Sequence, residues 1–149
     1  MTEALIREAG PEDLPACAAI LNAYIDATDW LPRSHPHEVI AAMFSPRLLQ
    51  TRRVFVAEQD GAVVGYVTLN PQARFLPALY LSPADRGRGL GKTLLDAVKA
   101  VSPAGFSLTV WQPNRDARRF YLREGLSVIG EGTDDDGLPV WNMTWSGQE

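Results

Sequence analysis

One cysteine, Cys17, stands among 149 residues, which excludes an intrachain disulfide framework and any multi-cysteine metal site. Histidine is almost as scarce: His35 and His37 are the only two, with no third ligand spaced to complete a site. No metal is expected. Apolar runs fall far short of the ~20 residues that cross a bilayer, so no membrane partner is expected either. A basic excess is missing as well. The chain has 14 Lys and Arg against 18 Asp and Glu, a net charge of -4, which argues against a nucleic-acid partner. The first residues, Met1 to Glu8, carry acids and no apolar stretch of signal-peptide length, and a cytoplasmic protein is the expectation. Repeats, low-complexity tracts and linkers are absent, so residues 1–149 read as a single domain.

The positive charge that is present gathers at residues 86–92 and 115–123, which suits a small polyanion better than a polymer. The first cluster is the most informative stretch of the chain. A strand-forming run, Leu79-Tyr80-Leu81-Ser82, ends at Pro83, and Arg86-Gly87-Arg88-Gly89-Leu90-Gly91-Lys92 follows. Leu90, Leu94, Leu95 and Val98 then recur at the spacing of an amphipathic helix. Glycines at such a junction let backbone N–H groups approach an anion, and the helix N-terminus adds its dipole. Spacing separates the kinds of phosphate cradle. A Walker loop needs glycine where Arg86 stands, although Gly91-Lys92-Thr93 supplies its second half. A dinucleotide fingerprint fails too, because the last glycine offset lands on Lys92 or Leu94.

Around this stretch the pattern alternates between strand and helix. Leu5-Ile6-Arg7 predicts a first strand, residues 12–24 a helix, and residues 37–44 a second helix closed by Ser45-Pro46. Residues 54–58 and 62–69 flank Gln59-Asp60-Gly61 as a hairpin. Residues 75–81 and 106–111 are strands, 89–101 and 114–124 helices, with Gly125 placed to end the latter. Residues 126–130 and 140–145 are closing strands, joined by an acidic loop holding Asp134, Asp135 and Asp136. The whole is a mixed α/β domain around one sheet.

Arg86-x-x-Gly89-x-Gly91 behind a Leu-Tyr-Leu-Ser-Pro strand resembles the pyrophosphate motif of the GNAT superfamily of acetyl-CoA-dependent N-acetyltransferases. Asn114, Ala117, Phe120-Tyr121 and Gly125-Leu126 resemble a second motif of that family, and the order of elements is similar over nearly the whole chain. The resemblance implies a central, mostly antiparallel sheet of six to seven strands flanked by about four helices. It also implies acetyl-CoA as donor, lying in a splay between the fourth and fifth strands. Backbone amides near Leu79 and Leu81 would then hold the pantetheine arm and the thioester carbonyl. Arg86, Gly87, Arg88, Gly89, Leu90, Gly91 and Lys92 would hold the pyrophosphate, and Asn114 would make a polar contact to the donor. Tyr24, Asp26 and Trp30 fall where relatives build the acceptor pocket.

Acyl transfer to an amine requires a neutral nucleophile, donors for a developing oxyanion and a proton for the departing thiolate. Asn114, Ala117 and Tyr121 share one helix face. Tyr121 is the expected general acid, since a phenol near ~10 is protonated at neutral pH. No carboxylate stands in Arg74-Phe75-Leu76-Pro77-Ala78, where many relatives carry one. Glu58, Asp26, Asp29, His35, His37 or a water relay remain as bases. Cys17, in an Ala-rich run, reads as a buried apolar residue. The three successive aspartates could attract a cationic amine or simply form a solvated turn. The expectation is direct acetyl transfer to a primary amine of a small molecule or a protein. The alternative is a non-catalytic acyl-CoA-binding module on the same frame. A homodimer through the last strands is an open arrangement, because those strands serve a monomer's core equally well.

Overall fold

The computed structural model describes residues 4–85, 87 and 89–147. Seven strands form one sheet: β1 (Leu5–Glu8), β2 (Arg53–Gln59), β3 (Ala62–Asn70), β4 (Phe75–Leu81), β5 (Phe106–Trp111), β6 (Ser127–Thr133) and β7 (Pro139–Trp145). Their order across the sheet is β1-β2-β3-β4-β5-β7-β6. Every neighbouring pair is antiparallel except β4 and β5, which are parallel. Among the described residues the helices are α1 (Leu14–Asp26), α2 (His37–Met43), α3 (Leu48–Thr51), α4 (Leu90–Val101) and α5 (Arg115–Arg123). None of them is long and apolar enough to cross a membrane.

Strand alternation divides the core between two faces. Phe55, Ala57, Val67 and Leu69 join Leu94, Leu95 and Val98 of α4, together with Tyr121 of α5 and Met143 of β7. Their neighbours Val56 and Tyr66 point the other way and pack with Cys17 and Ile20 of α1. Cys17 is fully buried, and that burial pushes its thiol up to about 12, so it is inert at neutral pH. The sequence reading of Cys17 as a core residue holds.

Two local departures from the sequence reading have simple causes. The first α-helix starts at Leu14, after a 3-10 turn at Pro11–Asp13, which keeps Pro15 in its first turn, where proline is tolerated. The one-turn helix α3 follows Ser45-Pro46, where the sequence predicts only a stop. Pro46 stands ahead of the Arg47 N-cap of α3, where its missing N–H breaks no helical bond.

A charged knot ties β1, the 3-10 turn and β2 together. The Arg7 guanidinium donates to both Asp13 oxygens at 2.8 and 3.0 Å and to Glu58 at 2.9 Å. Asp13 also accepts the Gly10 N–H at 2.8 Å. The hydrogen bond from Arg7, with that of Gly10, holds the Asp13 carboxyl below the usual carboxylate range despite burial. A depressed folded-state pKa gives stability that is present above the unfolded value near ~4 and lost as pH falls through the folded value. Asp13→Asn is therefore expected to cost about 2 kcal/mol at pH 7, as charge-assisted bonds do. Urea melts should show that deficit shrinking toward pH 2; a deficit independent of pH would assign the loss to packing.

Candidate active site

The sheet opens between β4 and β5. Only Phe75 and Ser107 are in register, and beyond them the two parallel strands diverge. Ser82 donates its N–H to Val64 at 2.8 Å, and Tyr80 and Ala78 stand opposite Tyr66 and Thr68. Alternation then turns the backbone groups of Leu79 and Leu81 away from β3, toward the open side. Pro77 lies on that same side, where its missing N–H breaks no ladder. A carboxylate-free strand edge with two free-facing amides borders the gap.

A cleft of about 640 Å³ fills the divergence, lined by Leu79, Tyr80 and Leu81 of β4, Gly87, Gly91 of α4, and the Asn114–Tyr121 side of α5. A slot of about 60 Å³ continues it between β4 and β5. Gly89 caps α4 with φ 79°, and Gly87 has the same left-handed φ, a conformation that side chains other than glycine resist. Gly91 faces the cleft so closely that an added Cβ would sit 3.4 Å from the Phe120 ring. Leu90 is buried under the cradle. Arg86 and Arg88 lie outside the described residues. Lys92 is committed elsewhere: its ammonium meets Glu124 at 3.1 Å and Asp96 at 3.5 Å, tying α4 to the end of α5.

On α5, the Asn114 side chain accepts the Ala117 N–H at 3.1 Å, which makes it the helix N-cap. Its Nδ2 donates to the Tyr24 hydroxyl at 2.9 Å, across ninety residues of chain. The asparagine thus joins α5 to α1. Tyr121 is buried and lines both cleft and slot. Burial, reinforced by the nearby Tyr24, raises its phenol above the ordinary value. Tyr80 is raised too, mainly by burial and then by Tyr24 and Tyr121.

Facing Tyr121 is a wall of rings. Tyr24 lies 4.9 Å from Tyr80 and 6.4 Å from Trp111, and Trp30 packs edge-on to Trp111 at 5.8 Å. Asp29 and Trp30 border the cleft, whereas Asp26 is turned to Arg33 at 2.8 Å and His37 at 2.7 Å. Glu58 belongs to the Arg7 knot, three strands from the opening. Of the bases considered from sequence, Asp29 alone lines the cleft. Asp134 is consumed by structure, accepting from Trp111 Nε1 at 2.8 Å and from the amides of Asp136 and Leu138. Asp136 accepts from Ser34 at 2.6 Å. Tyr80 and Trp111 were not singled out from sequence; mid-strand aromatics read as core unless the splay beside them is known. Among the described residues no group of three or more His, Cys, Asp and Glu could hold a metal ion.

Because Asn114 serves both α5 and Tyr24, its roles can be separated. Asn114→Ser keeps a capping oxygen but is too short to reach the phenol. Its melting temperature should stay within a few degrees of the parent, while the Michaelis constant for the acceptor rises about threefold or more, the effect of one lost hydrogen bond. Tyr24→Phe should give the same rise and the double variant no further one. Additive losses in the cycle would separate the two residues.

A sheet split at its parallel pair, a glycine-capped helix at the split and a tyrosine facing into it define an acyl-CoA-dependent transferase. The chain matches the Acetyltransferase (GNAT) family over residues 18–126, and it belongs to that family. It is 31% identical to the peptidyl-lysine N-acetyltransferase YiaC of Escherichia coli K12, covering 95% of this chain and 96% of that protein. It is also 31% identical to the peptidyl-lysine N-acetyltransferase YjaB of Salmonella typhimurium, covering 94% and 97%. The structure of yncA, a putative acetyltransferase from Salmonella typhimurium with acetyl-CoA, superposes with TM-score 0.76 at 22% identity, over 98% of this chain and 95% of that one. The expected fold is observed, with seven strands and five helices among the described residues. The chain is an acetyl-CoA-dependent N-acetyltransferase, and its cleft fits the donor: unpaired strand amides for an amide-rich arm, and a glycine-lined helix start for a diphosphate.

Proposed function

We propose that this enzyme acetylates the side-chain amine of lysine in a polypeptide, by direct transfer and without a covalent enzyme intermediate or a metal, in the cytoplasm. The observation that carries the reading is the set of rings Tyr24, Tyr80 and Trp30 that lines the cleft together with Tyr121, joined by Trp111 at the adjoining slot. A wall of that kind covers the methylenes of an unbranched side chain and favours a cation at its end. The two curated relatives with peptidyl-lysine in their names support the same acceptor.

Acetyl-CoA supplies the activated thioester; the chain's own groups hold, orient and move protons. The amides of Leu79 and Leu81 hold the donor's arm along the open strand edge. Gly87, Gly89, Leu90 and Gly91 present the helix start to its diphosphate, Arg86 and Arg88 are adjacent to them in sequence, and Lys92 links α4 to the end of α5 through Glu124. Asn114 acts through Tyr24 on the acceptor side. Asp26 fixes the acceptor loop through Arg33 and His37, and Trp30 forms the lip of the pocket. The lysine ammonium must lose its proton before it attacks, and the proton leaves through water at the open mouth bordered by Asp29. Tyr121 Oη gives its proton to the departing sulfur and regains one, through water, from the nitrogen, which loses its further proton as the amide forms.

Thiol release from acetyl-CoA tests this. Release should be fastest with a lysine-containing peptide, slower with free lysine or a diamine, and absent with a peptide whose lysines are blocked. Release with small amines alone would move the acceptor to a metabolite. Donor binding without release on any amine would favour the non-catalytic module, a reading to which the carboxylate-free β4 edge lends its only support.

A further inference from the structure

The second basic cluster of the sequence plays no part in the cleft. A groove of about 490 Å³ runs between the outer face of α5 and β7, lined by Gln112, Arg115, Arg118, Arg119, Leu122 and Trp141. The Arg118 guanidinium lies over the Trp141 ring, 4.9 Å from its centre. Arg119 has only an exposed 3.8 Å pair with Asp116, and neither Arg115 nor Arg118 has a carboxylate partner among the described residues. Leu122 is 45% exposed at the groove floor. Three of the four arginines of the nine-residue α5 thus line one groove; Asp116 pairs only loosely with Arg119, and Glu131 accepts from Gln112 at 3.2 Å.

The groove and the catalytic cleft meet across the first turn of α5. Asp116 and Ala117 line the cleft, while Arg115, Arg118 and Arg119 line the groove. Trp111 in the ring wall is followed directly by Gln112 in the groove. A polypeptide with one side chain in the cleft can thus continue past the helix start into a basic trough. We propose that this groove binds an acidic segment flanking the target lysine, with Arg115 and Arg119 meeting its carboxylates. Arg118, resting over the Trp141 ring, adds a third donor fork beside them. This proposal rests on the polypeptide-lysine reading above and adds a selectivity to it.

The test compares two peptides that share one lysine, one flanked by Asp and Glu and the other by Ser and Gln, with acetyl-CoA and the full chain. The parent should prefer the acidic peptide. Arg115→Glu/Arg119→Glu should lower kcat/KM for it about tenfold, the sum of a few exposed charge pairs, and leave the neutral peptide unchanged. Raising salt should erase the preference in the parent and do little in the variant. Arg115→Gln/Arg119→Gln, which leaves the Trp141 stack intact, should give a smaller loss with an unchanged melting temperature. Equal loss on both peptides, no loss on either, or a raised Michaelis constant for acetyl-CoA would overturn the proposal. The last result would hand the groove to the donor's phosphates. Failure of both peptides with the parent would sink the lysine reading itself, which the neutral peptide reports independently.

Discussion

Tyr121→Phe is expected to lower turnover about 10²-fold, the low end for acid catalysis, with acetyl-CoA affinity within about twofold of the parent. The ring is buried and packs 5.0 Å from Phe120, and phenylalanine preserves that packing, so stability should hardly change. Only the hydroxyl, and with it the proton at Oη, is lost. A free thiol near ~8.5 is already a tolerable leaving group, which limits how much any acid can contribute. The same burial that raises the Tyr121 phenol also raises the pKa of a thiolate forming beside it, so proton transfer between them is better matched than reference values suggest. The sign of the shift gives a second readout. A raised pKa keeps the donor form populated to higher pH, so turnover in the parent should show no loss from deprotonation of this residue up to about pH 10. An alkaline decline well below about pH 10 that vanishes in Tyr121→Phe would mean that burial does not protect the donor form, whereas an alkaline rise that vanishes in the variant would make the phenol a base. Unchanged turnover in the variant would remove it from the chemistry altogether.

The outline of this fold was legible because its punctuation is strong. Asp60-Gly61 marks the β2–β3 hairpin, Pro103 and Gly105 mark the approach to β5, and the Leu90, Leu94, Leu95, Val98 period marks α4, all found where expected. The glycine-capped start of α4 was legible for the same reason, since glycines at fixed offsets leave few alternatives. What the sequence could not show is which polar groups find each other. Nothing near Asn114 announces Tyr24, ninety residues away, because the pairing is made by the sheet that brings α1 and α5 to the same opening. Asp26 and Asp29 are three residues apart and equally acidic. One is turned to Arg33 and His37 and the other to the cleft, a difference set by how the chain leaves α1. Lys92 looked like a phosphate ligand beside three glycines, yet Glu124 lies closer in space than any sequence spacing reveals. Periodicity reports faces, not partners.

Gly91→Leu should weaken coenzyme A binding by about 10- to 10²-fold, the range set by overpacking a filled space. The contrast with Gly91→Ala makes the argument. An alanine Cβ would lie 3.4 Å from Phe120 Cζ and 3.9 Å from Leu79, an ordinary contact on both sides. Glycine is less favourable than alanine in a helix, by up to about 1 kcal/mol in the interior and less in a first turn, so the alanine variant should melt up to about 2 °C higher and keep most of its affinity. The remaining carbons of leucine have nowhere to go but the cleft between α4 and α5, where the amide edge of β4 faces Gly91. A helix that forgoes an easy gain in stability at one buried position, next to a left-handed glycine cap, is built for close approach by something other than a side chain. Calorimetry with coenzyme A and thermal melts of both variants test this together. Full affinity in a folded Gly91→Leu protein would show that the donor does not pass between the two helices, and with it the assignment of the diphosphate to the start of α4 would fail.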